Sequence, residues 1–368
     1  MTAVLPVGTN HTRIWGMTPR ERLARIAHVQ GLGEAQGAPD ADLLVSLDIV
    51  FDPAWLKQIA KLPDHVLTLG GVPVLANVTD MAARLPVMLA MSERHSLEQA
   101  NGLTIFDYET SGEIENEALR KREKLFLGRL EPATVTLLER ASYQGAYKGV
   151  TDVLTKYLWP EWALVLTRLA ARLGLSPNMV TTIGVILCAL ATWCFWEGHY
   201  WQGLLIGLVF MILDTVDGKL ARCTITSSWW GNIFDHGVDL IHPPIWYYAW
   251  GVGLSAWGLA LSPAMFGLIM AVLIGGYVVQ RLVEGAFIKA FGMHIHVWRK
   301  VDSDFRLITA RRNPNWVILL ASLPVGRPDW GLAGVAIWTV ASLVVHAVQL
   351  MQAFSARKQG REIKSWLS

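Results

Sequence analysis

Cysteine is scarce in this chain of 368 residues. The three present, Cys188, Cys194 and Cys223, form no C-x-x-C pair and no zinc-ligand spacing. Two of them lie inside an apolar run, so the pattern indicates inert thiols in a reducing compartment. An excess of one charge is also lacking, because 32 Lys and Arg stand against 30 Asp and Glu, which leaves a net charge of +2. Charge therefore gives no case for nucleic-acid binding. Residues 1–16 lack a charged region followed by an apolar core, and we expect no signal peptide.

Apolar residues, by contrast, are abundant. They make up 52% of the chain, which has 17 Trp and a mean hydropathy of +0.34. Such a chain is too apolar for an ordinary soluble enzyme and long enough for two domains. The composition changes sharply near residue 150. We expect a small cytosolic domain at 1–140, a linker with a juxtamembrane helix at 141–175, a membrane domain at 176–356 and a basic cytosolic tail at 357–368.

The N-terminal region alternates between two patterns. Short apolar runs at 42–51 and 65–78 are each followed by a segment with helical spacing. This alternation predicts β-α units and hence a small α/β domain. The charged stretch 113–132 has apolar residues at helical spacing, and we expect a surface helix there.

Residues 150–175 combine leucines and aromatics with Lys156, Arg168 and Arg172, and Pro160 interrupts them. This composition is typical of an amphipathic helix that lies in the membrane interface. A linker helix packed on the soluble domain is the alternative.

Beyond this helix the sequence predicts a polytopic α-helical membrane protein with six spans. Basic residues concentrate in alternate loops, whereas the loops at 197–202 and 253–263 carry no Lys or Arg. By the positive-inside rule, both termini face the cytoplasm, and we expect a multi-pass protein of the inner (cytoplasmic) membrane. The predicted spans are 178–197, 202–221, 230–252, 260–282, 314–326 and 331–355, the fifth of which is short.

Four aspartates interrupt this apolar sequence. Asp214 and Asp217 are three residues apart, and Asp235 and Asp239 are four apart, so each pair shares one face of its helix. An acidic side chain near the centre of a membrane helix costs roughly 2.5–3.5 kcal/mol, and a shared cation is the simplest reason to retain four. Oxygen ligands suit Mg²⁺, Mn²⁺ or Ca²⁺ rather than zinc. Such ions in turn suit a substrate that carries phosphates.

The residues between and around these aspartates form a specific pattern, D-x2-D-G-x2-A-R-x8-G-x3-D-x3-D, over residues 214–239. This pattern resembles the signature of the CDP-alcohol phosphotransferase family, with every fixed position matched. LSPNMVT at 175–181 resembles the P-N-x-x-T element of the same family. The resemblance covers about 150–355 and implies six membrane helices and a homodimer. It also implies a two-metal site for Mg²⁺ or Mn²⁺, and transfer of a substituted phosphate from a CDP-alcohol, usually CDP-diacylglycerol, to the hydroxyl of a second, polar alcohol with release of CMP.

The resemblance also implies roles for individual residues. Asp239 would be the general base beside the acceptor hydroxyl and would also touch metal. Gly218 and Gly231 lack side chains where a nucleotide must approach the backbone. Arg222 either clamps a phosphate or pairs with a carboxylate. The metal ligands would be Asp214, Asp217, Asp235 and Asp239, and the CDP-binding residues Gly218, Ala221, Arg222, Gly231, Asn178 and Thr181.

The acceptor side is less specific. Arg311 and Arg312 stand at the end of a basic loop that leads into the fifth predicted span. Either one can reach the cavity and bind an acceptor phosphate, or both serve only the positive-inside topology and attract anionic headgroups. We expect His236 and His242 to be headgroup-level or packing residues.

The N-terminal segment 3–18 resembles a worn sugar-nucleotidyltransferase opening, in which Thr12 and Arg13 match the T-R pair. Thr9 and His11 replace the two glycines beside the triphosphate, so the loop should bind nucleotide poorly. The metal aspartate of that family would fall at Asp48. We expect a truncated, inactive remnant. Two alternatives stay open: a live cytidylyltransferase fused to the membrane enzyme, and, from another class, a divalent-cation transporter or binding protein.

Overall fold

The N-terminal region is an α/β unit in the computed structural model, which describes residues 2–97, 102–116 and 119–368. A sheet runs in the order β2-β1-β3-β6-β5-β7. β6 is antiparallel to both of its neighbours, while the other pairings in this sheet are parallel. The α/β prediction for this region is confirmed. The strands are β1 Ala3–Val7, β2 Gly33–Glu34, β3 Leu43–Ser46, β5 His65–Leu69, β6 Val72–Asn77 and β7 Thr104–Asp107.

Two smaller strand pairs complete this region. β4 Ile49–Phe51 pairs with β10 Leu127–Arg129, and β8 Ile114–Asn116 pairs with β9 Lys121–Glu123. The helix predicted over 113–132 is therefore wrong. Arg120 has a φ of 52°, a left-handed conformation that interrupts any helix. Pairing with β4 outweighs the local helical spacing, as tertiary context often does.

Helices flank the sheet and begin at clear caps. Thr18 and Glu21 form a capping box, and Asp52 and Asp80 each accept a hydrogen bond from a backbone N–H of the helix that follows. Apolar side chains of the strands are buried on both faces of the sheet, which explains their uninterrupted apolar runs. The helices of this region are α1 Pro19–Val29, α2 Pro53–Ile59, α3 Met81–Glu93 and α4 Val135–Gly145.

The juxtamembrane helix α5 spans Pro160–Arg172 and follows a π-helical turn at Leu154–Leu158. Pro160 is the first residue of the helix, where its missing N–H costs nothing, so it starts the helix rather than breaking it. Arg168 pairs with Glu139 of α4 at 2.8 Å, as the packed alternative requires. Trp162 and the apolar residues Val165 and Leu169 remain exposed, as an interfacial helix requires.

Six further helices lie over the six predicted spans. Within the described residues three of them, α6, α9 and α12, are long and apolar enough to cross a membrane, with mean hydropathies of 1.9, 1.8 and 1.9. The count of six spans stays a prediction. These helices are α6 Pro177–Trp196, α7 Tyr200–Cys223, α8 Trp229–Gly253, α9 Pro263–Phe291, α11 Arg312–Ser322 and α12 Pro328–Lys358, with the short α10 at Lys300–Arg306 between α9 and α11.

Close packing of α6, α7 and α8 positions the acidic motif. Tyr200 stacks on Trp250 with ring centroids 4.0 Å apart and donates a hydrogen bond to its carbonyl oxygen. Gly253 lets the ends of α6 and α8 touch, because a Cβ there would lie 2.0 Å from the carbonyl oxygen of Phe195. α7 and α8 are joined by the short segment 224–228, so the end of one and the start of the other are adjacent.

Candidate active site

The turn between α7 and α8 brings the motif together. Asp214 and Asp217 lie in the last three turns of α7, and Asp235 and Asp239 lie in the first three turns of α8. Ser228 caps α8 by accepting a hydrogen bond from the backbone N–H of Gly231 at 3.0 Å. The local sequence therefore fixes the entry into α8 within about three turns of both of its aspartates.

Three of the four aspartates converge. Asp214, Asp235 and Asp239 each offer a carboxylate oxygen, and these oxygens all lie within 4.8 Å of one another. Asp239 is the most exposed of the three, whereas Asp214 and Asp235 are half-buried. The predicted convergence of two helix faces thus occurs for these three residues.

Asp217 faces α6 instead. Its Oδ2 accepts a hydrogen bond of 2.6 Å from the hydroxyl of Thr181, and its Oδ1 accepts one from the backbone N–H of Gly218. Asp217 and Thr181 are both buried. The P-N-x-x-T element therefore meets the aspartate motif directly, through a contact that the sequence alone did not reveal.

Arg312 lies across the acidic group. Its Nη2 donates to Asp214 Oδ2 at 2.6 Å and its Nη1 donates to Asp239 Oδ1 at 2.7 Å. Its Nε donates to Asn313 Oδ1 at 2.9 Å, which orients the guanidinium plane. One of the two arginines predicted on the acceptor side thus reaches the site.

Arg311 belongs to a second cluster. Its Nη2 donates to both carboxylate oxygens of Glu284 at 2.6 Å and lies 3.3 Å from Nε2 of His296. Glu284, His296 and His346 place possible metal-ligating atoms within 4.8 Å of one another, but the Arg311 guanidinium already contacts the carboxylate. Sequence reasoning missed Glu284, although it is the sole acidic residue of α9.

The predicted CDP-binding residues lie on α6, on α7 and in the first turn of α8. At Gly218 a Cβ would lie 3.2 Å from Nη2 of Arg222, and at Gly231 a Cβ would lie 2.7 Å from Oδ1 of Asn178. Both glycines therefore permit close approach of a polar side chain. Ala221 is half-buried one turn beyond Gly218.

Arg222 contacts the end of α4 rather than one of the motif carboxylates, and its predicted role as a phosphate clamp stays a prediction. Its Nε donates a hydrogen bond of 3.0 Å to the carbonyl oxygen of Ala146, at the end of α4. Helix α4 precedes the matched motif by almost seventy residues in the sequence, and nothing in the motif signals this contact.

Lys148 is a basic residue that sequence reasoning missed. It lies between Ala146 and Gly149, whose backbone N–H donates to the Leu119 carbonyl oxygen at 2.8 Å. Partial loss of water around its ammonium, with the like charges of Arg120 and Arg222, lowers the pKa of Lys148 to about 8, while Asp235 and Asp214 oppose the shift. Its side chain remains open to solvent. The signal for it was weak, because a lone lysine in a linker has no pattern.

The donor set fits a divalent cation. Three carboxylates against the single guanidinium of Arg312 leave excess negative charge, and the grouped ligands are oxygens. Such a set suits Mg²⁺ or Mn²⁺ better than a soft metal. The two motif histidines make local contacts instead: Nδ1 of His236 lies 2.8 Å from the Asn232 carbonyl, and Nδ1 of His242 lies 2.7 Å from that of Val238.

The fold and the site together define a helical, membrane-embedded protein with an oxygen-rich acidic site between two helices. Residues 174–300 match the family model for CDP-alcohol phosphatidyltransferase. This match confirms, over these residues, the resemblance to a family of transferases that was inferred from the motif. The matched range does not include the N-terminal region, where the nucleotidyltransferase resemblance stays a prediction.

Similarity to known proteins is confined to part of each. Cholinephosphotransferase 1 of Gallus gallus is 35% identical over 126 residues, which are 30% of this chain and 35% of that protein. Cholinephosphotransferase 1 of Homo sapiens is 45% identical over 120 residues, 30% of this chain and 29% of that protein. Phosphatidylinositol phosphate synthase of Cutibacterium acnes is 37% identical over 84 residues, 21% of this chain and 40% of that protein.

Among solved structures, phosphatidylinositol phosphate synthase of Mycobacterium tuberculosis with CDP-DAG bound aligns with a TM-score of 0.40 and 18% identity. It covers 51% of this chain and 92% of that one. The chain spans less than half the length of the curated relatives named above.

Proposed function

We propose that this protein transfers a substituted phosphate group from a CDP-alcohol to the hydroxyl of a polar acceptor alcohol and releases CMP, in phospholipid biosynthesis. The observation that carries the proposal is the convergence of Asp214, Asp235 and Asp239, with complete motif spacing, inside the matched domain. A cluster of carboxylates at the end of apolar helices has a clear use where phosphates must be held and a hydroxyl must lose its proton.

Asp239 is the proposed general base. It is the most exposed of the three converging aspartates, so an incoming alcohol can reach it. Its Oδ1 accepts a hydrogen bond from Arg312, which holds the carboxylate in one orientation. A positioned base of this kind contributes about 10²–10⁴-fold to rate.

The donor side is proposed to be built from α6, α7 and the start of α8. Thr181 holds Asp217, and Asn178 approaches Gly231, so the two elements of the family pattern are in contact. Gly218 and Ala221 line the same side of α7. We assign the cytidine and its phosphates to this side, with Arg222 near the phosphates.

Mg²⁺ or Mn²⁺ at a two-metal site, when bound, would neutralise the phosphate charge and polarise the phosphoryl group. Asp214, Asp235 and Asp239 would hold the metal ions, with Asp217 as the fourth carboxylate ligand. The chain's own contribution is to aim these carboxylates at one small volume and to fix Asp217 through Thr181.

The acceptor is proposed to bind on the side of Arg312. Its guanidinium already touches the proposed base, so a phosphorylated acceptor bound to it would bring a hydroxyl close to Asp239. Arg311 is proposed as a second, more distant anion contact beyond Glu284. The relatives are named for different transferred groups, so their names do not identify the acceptor alcohol of this protein. The experiment below identifies it.

CDP-diacylglycerol is the proposed donor, because the motif lies at the ends of apolar helices where a lipid can reach it from the bilayer. We further propose that six helices span the inner membrane, that the motif and both termini face the cytoplasm, and that the protein pairs as a homodimer among membrane lipids. The basic residues between Arg281 and Arg312 support this orientation.

The deciding experiment is CMP release by the purified full-length chain in nanodiscs. CDP-diacylglycerol and CDP-choline are supplied as alternative donors, with Mg²⁺ or Mn²⁺ and one acceptor alcohol at a time. We expect metal-dependent CMP release from CDP-diacylglycerol with one acceptor, and its loss on chelation and in Asp239→Asn. CMP release from CDP-choline but not from CDP-diacylglycerol would show that the proposed donor is wrong. No release, and no binding of either donor, would favour the divalent-cation transporter or binding protein.

A separate observation bears on a second activity in the N-terminal domain. The carboxylate of Asp48 accepts hydrogen bonds from Asn10 Nδ2 at 3.1 Å and from Arg94 Nε at 2.7 Å, so both of its oxygens are engaged. This supports an inactive remnant. Incubation with CTP and a panel of alcohol phosphates tests it, since pyrophosphate release would establish the bifunctional enzyme.

A further inference from the structure

The N-terminal domain contacts the motif helix at its last residues. Arg22 of α1 is buried, with 4% of its surface exposed, and its Nη1 donates to the carbonyl oxygen of Cys223 at 3.0 Å. Arg25, one turn later, donates from Nη1 to the carbonyl oxygen of Thr224 at 2.8 Å. Cys223 is the final residue of α7 and Thr224 is its C-cap. Two arginines from a different domain therefore terminate the helix that carries the aspartates.

The physical chemistry of a helix end makes these contacts specific. The last carbonyl groups of a helix have no partner within the helix, and the helix dipole places partial negative charge there. A guanidinium suits such a helix end, because its positive charge offsets the partial negative charge and its planar N–H groups donate to the unpaired carbonyl oxygens. Arg22 also donates to the carbonyl oxygen of Phe51 at 3.2 Å, which ties the helix end to the sheet domain.

A second set of contacts runs in the opposite direction. Arg222 of α7 donates to the carbonyl oxygen of Ala146, the C-cap of α4. Lys219 of α7 is buried, and its ammonium lies over the ring of Tyr147 in the same segment. The last turn of α7 is thus held by α1 on one side and by the end of α4 on the other.

That turn and the one before it carry Gly218, Ala221 and Arg222, three of the residues assigned to the CDP donor. We propose that the N-terminal domain is a positioning domain for the donor half of the active site, with Arg22 and Arg25 as positioning residues that hold the end of α7. The inference rests on the proposed function for what is bound, but the positioning of the helix end can be measured without turnover. Pre-ordering of this turn lowers the entropy lost when a donor binds.

The test compares Arg22→Met, Arg22→Lys and Arg25→Ala with Arg20→Ala in the full-length chain in nanodiscs. Arg20 is the matched control, because it lies on the same helix but pairs with Glu34 on the surface. The readouts are the KM for the CDP donor, the KM for the acceptor, kcat, and amide hydrogen exchange over residues 219–226. Arg25→Ala keeps the test valid if loss of the buried Arg22 impairs folding, since Arg25 is exposed.

Loss of a charged hydrogen bond should raise the donor KM about tenfold in Arg22→Met, with a smaller rise in Arg25→Ala and partial rescue in Arg22→Lys. The acceptor KM should stay within about twofold, and exchange over 219–226 should quicken in both Arg22→Met and Arg25→Ala but not in Arg20→Ala. Unchanged exchange and an unchanged donor KM in both variants would overturn the positioning role and leave the proposed function intact. A wild-type protein that neither releases CMP nor binds either donor would overturn the proposed function, while the exchange data would still decide the role of the two arginines.

Discussion

Arg312 Nη1 donates a hydrogen bond of 2.7 Å to Asp239 Oδ1, so a basic residue proposed for the acceptor touches the proposed base. The two residues are 73 positions apart in the chain and come from α11 and α8. The same guanidinium reaches Asp214 on α7. One side chain therefore links the acceptor side, the base and the acidic cluster, and each of the first two predictions tests one end of this link.

Asp239→Asn should abolish turnover while binding of the CDP donor is largely retained. The amide has no charge with which to take a proton, yet its carbonyl oxygen can still accept the hydrogen bond from Arg312. We expect a fall in kcat of at least about 10²-fold, measured as CMP release, with donor binding followed by titration. Wild-type kcat in this variant would remove Asp239 as the base.

Arg312→Ala should have two opposite effects. The KM for a phosphorylated acceptor should rise, because the guanidinium that donates hydrogen bonds to its phosphate is lost. The divalent-metal concentration for half-maximal rate should fall, because the carboxylates of Asp214 and Asp239 lose a competing cation. Metal and acceptor titrations of CMP release measure both.

Arg311→Ala is the comparison for that variant. Arg311 pairs with Glu284 rather than with the acidic cluster, so the metal requirement should stay at the wild-type value. In the variant that combines Arg311→Ala with Arg312→Ala, the KM for a phosphorylated acceptor should rise far more than the KM for the CDP donor. Equal rises in the acceptor KM and the donor KM would show that the two arginines serve only the membrane topology.

Gly231→Ala should weaken donor binding. Its new Cβ would lie 2.7 Å from Oδ1 of Asn178, closer than real Cβ contacts allow, so Asn178 must move. Gly237→Ala on the same helix is the control, because a Cβ there meets nothing within 4 Å. We expect the donor KM to rise at Gly231 alone, and the rise to shrink when Asn178→Ala is added. Equal changes at both glycines would point to a general effect on α8.

The pH dependence of donor use should report Lys148. Its pKa of about 8 means that the ammonium is charged below this pH and neutral above it. We propose that Lys148, whose charge interacts with those of Arg222 and Asp235, attracts the donor phosphates, so this attraction is present at pH 7 and lost as the pH rises through about 8. We expect kcat/KM for the donor to fall in this range, since that ratio follows groups of the free enzyme.

Lys148→Arg should keep the charge and move the fall to higher pH, whereas Lys148→Met should show a low kcat/KM without this step. The profile is measured between about pH 6.5 and 9.5, in which free lysine itself stays largely charged. An identical step in Lys148→Met would assign it to another group.

Local pattern was sufficient for the helices of the membrane domain and for the aspartates. Apolar runs of helical length can fold only as helices in a bilayer, and residues three or four apart on a helix share a face whatever surrounds it. The same reasoning failed for 113–132, where helical spacing lost to strand pairing with β4. It also placed Pro160 inside a helix that in fact begins there.

Contacts between residues far apart in the chain had no such signature. The charge and spacing of Arg311 and Arg312 are alike in sequence, yet packing directs one to Glu284 and the other to Asp214 and Asp239. Arg22 meets the carbonyl oxygen of Cys223 across 201 positions. The motif alone predicted the ligand types, their spacing and the chemistry that they suit, because these depend on local helix geometry. The partners of the arginines and the docking of the N-terminal domain on α7 depend on how the helices pack, and that is settled in three dimensions.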